Sequence, residues 1–473
     1  MQIEVFAGKD RLMLYGPWPH SCFYLNLVCP KSEIENPVKR NNSWININDP
    51  FKYRWLMFAV LGICYFIVCL HRISPTVIAR DLVYEFGANA TALGLMSSAY
   101  FYLYAAVQPA VGVLSDSWGP RRLVTVCTLI ACLGAVIFGM AVNMTMATAA
   151  RALIGIGVGG IFVPALTIFS RWFRARGFAS VTGFFLACGN AGNLAASLPL
   201  TYMILLLGWR LSLISIGGVS FLLAILAWIV IRNHPEDKGW QIKTDHNPAA
   251  KTPEDDPKEL TTIGRLGIVF RKSGFWLVTA STFFFGGPAL TFQGLWAVPY
   301  LMDVYGYNRV QAGGLLMLLP IGFIIGAPLV GFLSDRMNLS RKFMLQCSLG
   351  IGTICWSILV ISGGKPDSVF LAPLFLIMGS CGGGSLPLFM TINKELFPPF
   401  ITGTAVGLMN TAAFLSTAVY QPFSGFLMDT VGRSGSVYPL EAYDRILTFF
   451  CISMTIALIC TIPLKSQKER SRL

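Results

Sequence analysis

The residues best able to do chemistry lie where holding a charge is expensive. His71 and Arg72 stand together in Tyr65-Phe-Ile-Val-Cys-Leu-His71-Arg72-Ile-Ser74-Pro75, late in an apolar run that begins near Trp55. At 1.5 Å per residue, Arg72 lies roughly 25 Å along such a helix, in the far half of a bilayer but within reach of its centre. A guanidinium at that depth turns toward water or a partner. It could hold the carboxylate of a solute; the competing reading is an Arg that snorkels outward, with Arg80 marking the outer edge. His71 is the one imidazole within an apolar run. With an unperturbed pKa near 6.5 it could carry a coupling proton, or it could be a neutral, hydrogen-bonded core histidine.

A second group of charges occurs twice. Gly112-Val-Leu114-Ser-Asp116-Ser-Trp-Gly119-Pro-Arg121-Arg122 is echoed by Gly331-Phe-Leu333-Ser-Asp335-Arg336-Met-Asn-Leu-Ser-Arg341-Lys342. Each Gly permits close helix contact, each Asp ends a helix, and each basic pair anchors among headgroups. The charges could brace a gate or could merely fix topology. Catalysis would need a nucleophile, metal ligands or paired carboxylates near one interface. The apolar runs hold one His and no Asp or Glu near their middles, and their cysteines form no Cys-x-x-Cys. No enzyme, metal or cofactor is therefore expected, and no ring of like charge suggests a channel.

The elements that must position these groups are membrane spans. The chain has 473 residues, 54% hydrophobic and 12% charged, with mean hydropathy +0.62. A soluble domain carries about 25% charged residues. A span needs about 20 apolar residues, and twelve runs qualify: 55–80, 91–114, 124–142, 147–169, 178–207, 211–231, 275–302, 310–333, 343–362, 369–392, 401–428 and 447–464. The net charge of +13 sits in short loops, which points to topology and lipid headgroups, not nucleic acid. With the amino terminus in the cytoplasm, inner loops and tail carry basic residues such as Arg121, Arg122, Arg171, Arg341, Lys394 and Lys465. The outer loops carry only Arg80, Arg210, Arg309, Lys365, Arg433 and Arg445. Both termini are therefore expected in the cytoplasm, in an inner or plasma membrane.

The expected fold is an all-α membrane protein, twelve transmembrane helices in two six-helix bundles related as a parallel repeat, with the site between them. Residues 1–50 read as an unstructured arm without a signal sequence, 51–231 as the first bundle and 232–273 as a solvated cytoplasmic linker. Residues 274–465 read as the second bundle and 466–473 as a tail.

On these motifs the sequence resembles the major facilitator superfamily over residues 51–465. The resemblance implies a monomeric secondary transporter working by alternating access. It implies an inner gate in which Asp116 faces the amino end of helix 11, Arg121 and Arg122 complete the network, and Asp335, Arg336 and Arg341 echo it. Arg151-Ala-Leu-Ile-Gly155 is similar to the family's helix-4 Arg-x-x-x-Gly motif and is grouped with the gate. Glu395-Leu-Phe-Pro398 with Gly403-Thr404-Ala405 looks like its loop-10/11 signature, with Thr402 in place of the usual Arg. Helix 1 resembles the anion:cation symporter branch of organic-anion carriers, where an Asp-Arg pair precedes Asn-x-Ser and the Arg meets the substrate carboxylate. Arg72 and Ser74 match that pattern. His71 replaces the Asp, and the branch's helix-4 Glu falls on Val158.

The expected function is movement of a small solute, an organic anion or amino acid, by proton-coupled symport. The expected site is Arg72 and His71 with Tyr102, Asn190, Gln293, Tyr300 and Asn410; Tyr104, Asn193, Tyr420 and Gln421 are further polar candidates. One basic group among neutral ones favours a monocarboxylate, amino acid or small hydroxy-acid over a phosphate or dicarboxylate. The helix-7 sequence Phe292-Gln293-Gly294-Leu-Trp296 also resembles bacterial carriers that include amino-acid importers. A drug or metabolite antiporter is the alternative, although helix 5 lacks that branch's Gly-Pro. A non-transporting receptor on the same fold is another.

Overall fold

The protein is described from a computed structural model, which covers residues 6–8, 11–13, 49–173, 175–240, 262–337, 340–433 and 437–464. The side chains of Asp116, Asp335 and Arg336 lie outside the described residues, as do most of the arm, the middle of the linker and the tail. Within the arm, β1 (Phe6–Gly8) and β2 (Arg11–Met13) form an antiparallel pair, Phe6 opposite Met13, where the sequence suggested no regular structure.

The first helix, α1 (Pro50–Ile73), opens with the Asp49 carboxylate accepting from Phe51 N–H at 2.8 Å, a side-chain N-cap. Pro75 supplies no N–H, and the chain breaks at Ser74 into α2 (Pro75–Phe86). Arg72 is therefore followed by more than three further helical turns, and the helix continues past Arg80. Next come α3 (Ala90–Ser117), α4 (Pro120–Gly139), and α5 (Met144–Gly159) continued by α6 (Phe162–Trp172). Then follow α7 (Ala175–Ala195) and α8 (Leu198–Val230). Helix α8 breaks at Gly208, φ 75°, where expected spans five and six meet.

In the second part, α9 (Thr262–Arg271) precedes α10 (Ser273–Thr291). A π-helical turn at Phe292–Trp296 then leads into α11 (Ala297–Tyr305). After these come α12 (Arg309–Leu316), α13 (Leu318–Met337), α14 (Arg341–Ile361), α15 (Ser368–Lys394), α16 (Pro399–Asp429) and α17 (Leu440–Thr461).

Beyond the arm, the fold is all-α and multi-pass. Among the described residues ten helices are long and apolar enough to cross a bilayer. The difference from the expected twelve falls at span five, which is divided between α7 and the part of α8 before Gly208, and at span eleven, occupied by α16; α7 and α16 mix Asn, Ser, Thr and Gly with their apolar residues. Helix pairings recur along the chain: α1 packs on α7, α3 on α5 and α4 on α8, while α10 packs on α16, α13 on α15 and α14 on α17.

The amino-terminal group (α1–α8) meets the carboxy-terminal group chiefly through α3 against α16. Their backbones touch: a Cβ on Gly94 would lie 2.3 Å from the Gln421 carbonyl, and one on Gly425 2.2 Å from that of Ala90. Small residues at such a crossing let membrane helices approach closely.

Candidate functional site

Arg72 and His71 occupy the last turn of α1 and are buried. The Arg72 guanidinium lies over the Phe414 ring of α16, 5.1 Å from its centroid, within the range of a cation–π contact. Tyr65, Tyr100 and Tyr104 are within its electrostatic reach. Tyr104 packs on Phe414, ring centroids 4.6 Å apart, so an aromatic collar from α3 and α16 surrounds the charge. Arg72 has no carboxylate partner among the described residues.

His71 is fully buried and neither ring nitrogen has a hydrogen-bond partner. Its carbonyl oxygen accepts from Arg151 Nη1 at 2.7 Å. Arg151 is itself fully buried, with its guanidinium 4.7 Å from the Tyr100 centroid and its Nε and Nη2 unpartnered. Arg151, grouped with the gate from the sequence, thus stands beside His71. The reason is where α5 begins: Arg151 lies two turns from Met144, the end of that span nearer the close of α1–α2.

Gln421 joins the cluster from α16. It is fully buried, and both amide atoms lack partners. A side chain at Gly294, in the π-helical turn, would meet the Arg72 carbonyl at 3.6 Å and the Gln421 amide nitrogen at 3.9 Å, which places all three together.

Other expected residues fall differently. Tyr102 is 40% exposed: at 100° per residue Tyr100 and Tyr104 share one face of α3, and Tyr102 points away from it. Tyr300 is buried within the second group, its hydroxyl donating to the Gly364 carbonyl at 2.8 Å, so it is already satisfied. Asn190 donates to the Leu186 carbonyl of its own helix at 3.1 Å. Gln293 and Asn410 are half-buried, and their amides have no hydrogen bond among the described residues. Tyr420 bonds Ser453 at 2.6 Å. Phe414 and Tyr100 were missed; an aromatic residue in an apolar helix gives no signal of its own, although Tyr100 sits one turn from Tyr104.

At the Pro50 end, Arg121 Nε donates to the Trp228 carbonyl at 2.9 Å and its guanidinium lies 4.3 Å from the Trp228 ring centroid. Arg122 is exposed, and Arg341 pairs with Glu395. Each of these contacts stays within its own helix group.

Bonds that join the groups gather at the Phe86 end. Asp429, closing α16, accepts from Ala90 N–H at 3.0 Å, Thr91 N–H at 2.8 Å and the Thr91 hydroxyl at 2.5 Å, capping the start of α3 with a charge suited to its dipole. Tyr438 donates to Asp429 at 2.8 Å. Burial and that carboxylate hold its hydroxyl above the ordinary tyrosine range, so it stays a donor. Arg433 donates to the Ala88 and Gly87 carbonyls at 2.6 and 3.0 Å. Arg80 pairs with Asp303 at 3.3 Å, and Arg309 with Asp81 at 2.7 Å.

The model for the Major Facilitator Superfamily matches residues 55–420. The chain is 27% identical to the "Probable sulfoacetate transporter SauU" of Cupriavidus necator, over 80% of this chain and 89% of that protein. It is 23% identical to the "Hexuronate transporter" of Escherichia coli strain K12, over 83% and 91%. It is 24% identical to the "4-hydroxybenzoate transporter PcaK" of Pseudomonas aeruginosa, over 78% and 84%. A bacterial homologue of the human lysosomal transporter Spinster, inward-facing and unoccupied, is similar in structure with TM-score 0.67 and 17% identity, over 86% of this chain and 97% of that one.

Proposed function

The chain belongs to the Major Facilitator Superfamily, and from that premise we propose that it carries a small organic acid by alternating access, with Arg72 holding the acidic group. That it is a multi-pass transporter of a small solute, on a transporter's and not a catalyst's fold, follows from the family. The observation that carries the finer reading is Arg72 itself, a buried guanidinium at the contact of α1, α3 and α16 without a carboxylate. A site of that kind is completed by an anion. Sulfoacetate, hexuronate and 4-hydroxybenzoate, the solutes that the relatives' names print, each bear a carboxylate at neutral pH. Arg151 in the same cluster adds a second positive charge, which favours a solute with two acidic groups over the monocarboxylate expected from Arg72 alone. Amino acids with an acidic side chain fall in the same class.

The recurring helix pairings support the two six-helix bundles and twelve spans, with α7 and the part of α8 before Gly208 as span five and α16 as span eleven. Basic residues concentrated at the Pro50 end support its placement in the cytoplasm. On that placement the Asp429 latch seals the outer side. In the opposite state Asp116, Arg121 and Arg122 would meet the start of α16, with Asp335, Arg336 and Arg341 in the echoing role. Proton symport through His71 fits the geometry less well, because a proton there would be a third positive charge beside Arg72 and Arg151.

Exchange in vesicles tests the reading. Purified chain is reconstituted and loaded with unlabelled sulfoacetate, glucuronate or 4-hydroxybenzoate, and entry of the same labelled anion is followed. At least one should exchange, and Arg72→Ala should slow it by about tenfold or more, the loss of one charge-assisted contact. Unimpaired exchange by that variant would remove the anion argument.

A further inference from the structure

We propose that this carrier is an obligatory anion exchanger, in which the solute leaving supplies the negative charge that lets the empty site return. The inference rests on the organic-acid reading above. Arg151 lies 4.7 Å from the Tyr100 ring centroid, Arg72 acts on the same tyrosine, and both guanidiniums are buried. Neither has a carboxylate among the described residues. The sequence explains why: no Asp or Glu occurs at 50–80, 87–115, 117–235, 261–302 or 396–428. The stretches forming the cluster on α1, α3, α5, the π-helical turn and α16 all fall within those ranges.

Alternating access requires that the site be sealed from water on both sides between its two open states. Sealing two guanidiniums in low dielectric without a counter-charge is strongly unfavourable, whereas sealing them around an anion is not. The loaded carrier therefore crosses readily and the empty one slowly, so inward and outward movements of anion are tied together. A proton cannot replace the returning anion. The groups facing His71 and Arg72 are Tyr65 and Cys69 from α1, Tyr100 and Tyr104 from α3, and Arg151 from α5. None of them is an acid that a proton could neutralise, and a proton on His71 would add to the positive charge.

The test compares the full-length protein in vesicles holding either unlabelled anion or only sucrose, with labelled sulfoacetate, glucuronate and 4-hydroxybenzoate outside. Entry into anion-loaded vesicles should exceed entry into sucrose vesicles by about tenfold or more, the effect of a modest rise in the return barrier. An imposed proton gradient should leave entry into sucrose vesicles unchanged. Equal entry under both fillings, or acceleration by the proton gradient, would overturn exchange while leaving the organic-acid reading intact. Movement of no anion under either filling would overturn both. His71→Asp provides a gain-of-function arm, because it places a carboxylate in the same buried cluster, at the residue whose carbonyl accepts from Arg151 and next in sequence to Arg72. That variant should enter sucrose vesicles about tenfold faster than wild type; unchanged dependence on internal anion in an exchange-competent variant would contradict the charge argument.

Discussion

Tyr100 and Tyr104 meet Arg72 on one face of α3, and Tyr102 looks outward from another. A matched pair of substitutions follows from that geometry. Tyr104→Ala loses the packing on Phe414 that holds the collar around the guanidinium, worth about 0.5–1.5 kcal/mol beyond area burial, and anion exchange should fall roughly two- to tenfold. Tyr102→Ala should leave exchange near wild type. The reverse ranking in initial rates of labelled-anion exchange would show that the wrong face of α3 has been assigned. Arg72 was legible because a charge deep in an apolar run must have a reason. Phe414 was not, because its neighbours are as apolar as it is. Tyr300 looked available, but hydroxyl satisfaction depends on a carbonyl 64 residues later, Gly364, and no local pattern announces that. Arg151 was visible as a charge, but its place beside His71 was not, since depth depends on where α5 starts.

Among the elements, α3 and α16 bear the closure at the Phe86 end. Their contact combines backbone proximity at Gly94 and Gly425 with the Asp429 cap. Replacing Asp429 by Asn keeps one acceptor and removes the charge, which should weaken the latch by about 1 kcal/mol. In a background lacking the native span cysteines, a thiol at Ser97, buried beneath the latch, should then react severalfold faster with an impermeant reagent added on the side of the Phe86 end. An unchanged labelling rate would mean that Asp429 does not hold this end closed. The sequence suggested loop charges here, and Arg80 as the membrane edge. The span expected over 55–80 stops short of the helix, which continues as α2 to Phe86 and brings Arg80 to Asp303. Ion pairs over more than 200 residues of separation, such as Arg309 with Asp81, lie beyond what spacing can reveal. The helices themselves were legible, because hydrocarbon thickness imposes run lengths that composition records directly.

For the molecule as a whole, the central claim is that two groups of helices rock about the Arg72 cluster, opening one end as the other closes. The repeated Gly–Asp–Arg motifs led to the expectation of a duplication, and the helix pairings recur in the same order along the chain; the order in which the ends close is a property of the packing between groups. Distances between spin labels test the claim. One pair would sit at Trp118 and Lys394 near the Pro50 end, the other at Tyr84 and Val369 near the Phe86 end, all exposed positions. On adding an anion that the vesicle assay shows to be exchanged, a population should appear in which the first pair is closer and the second farther apart. Two distances that stay fixed, or that change in the same direction, would contradict alternating access in this protein.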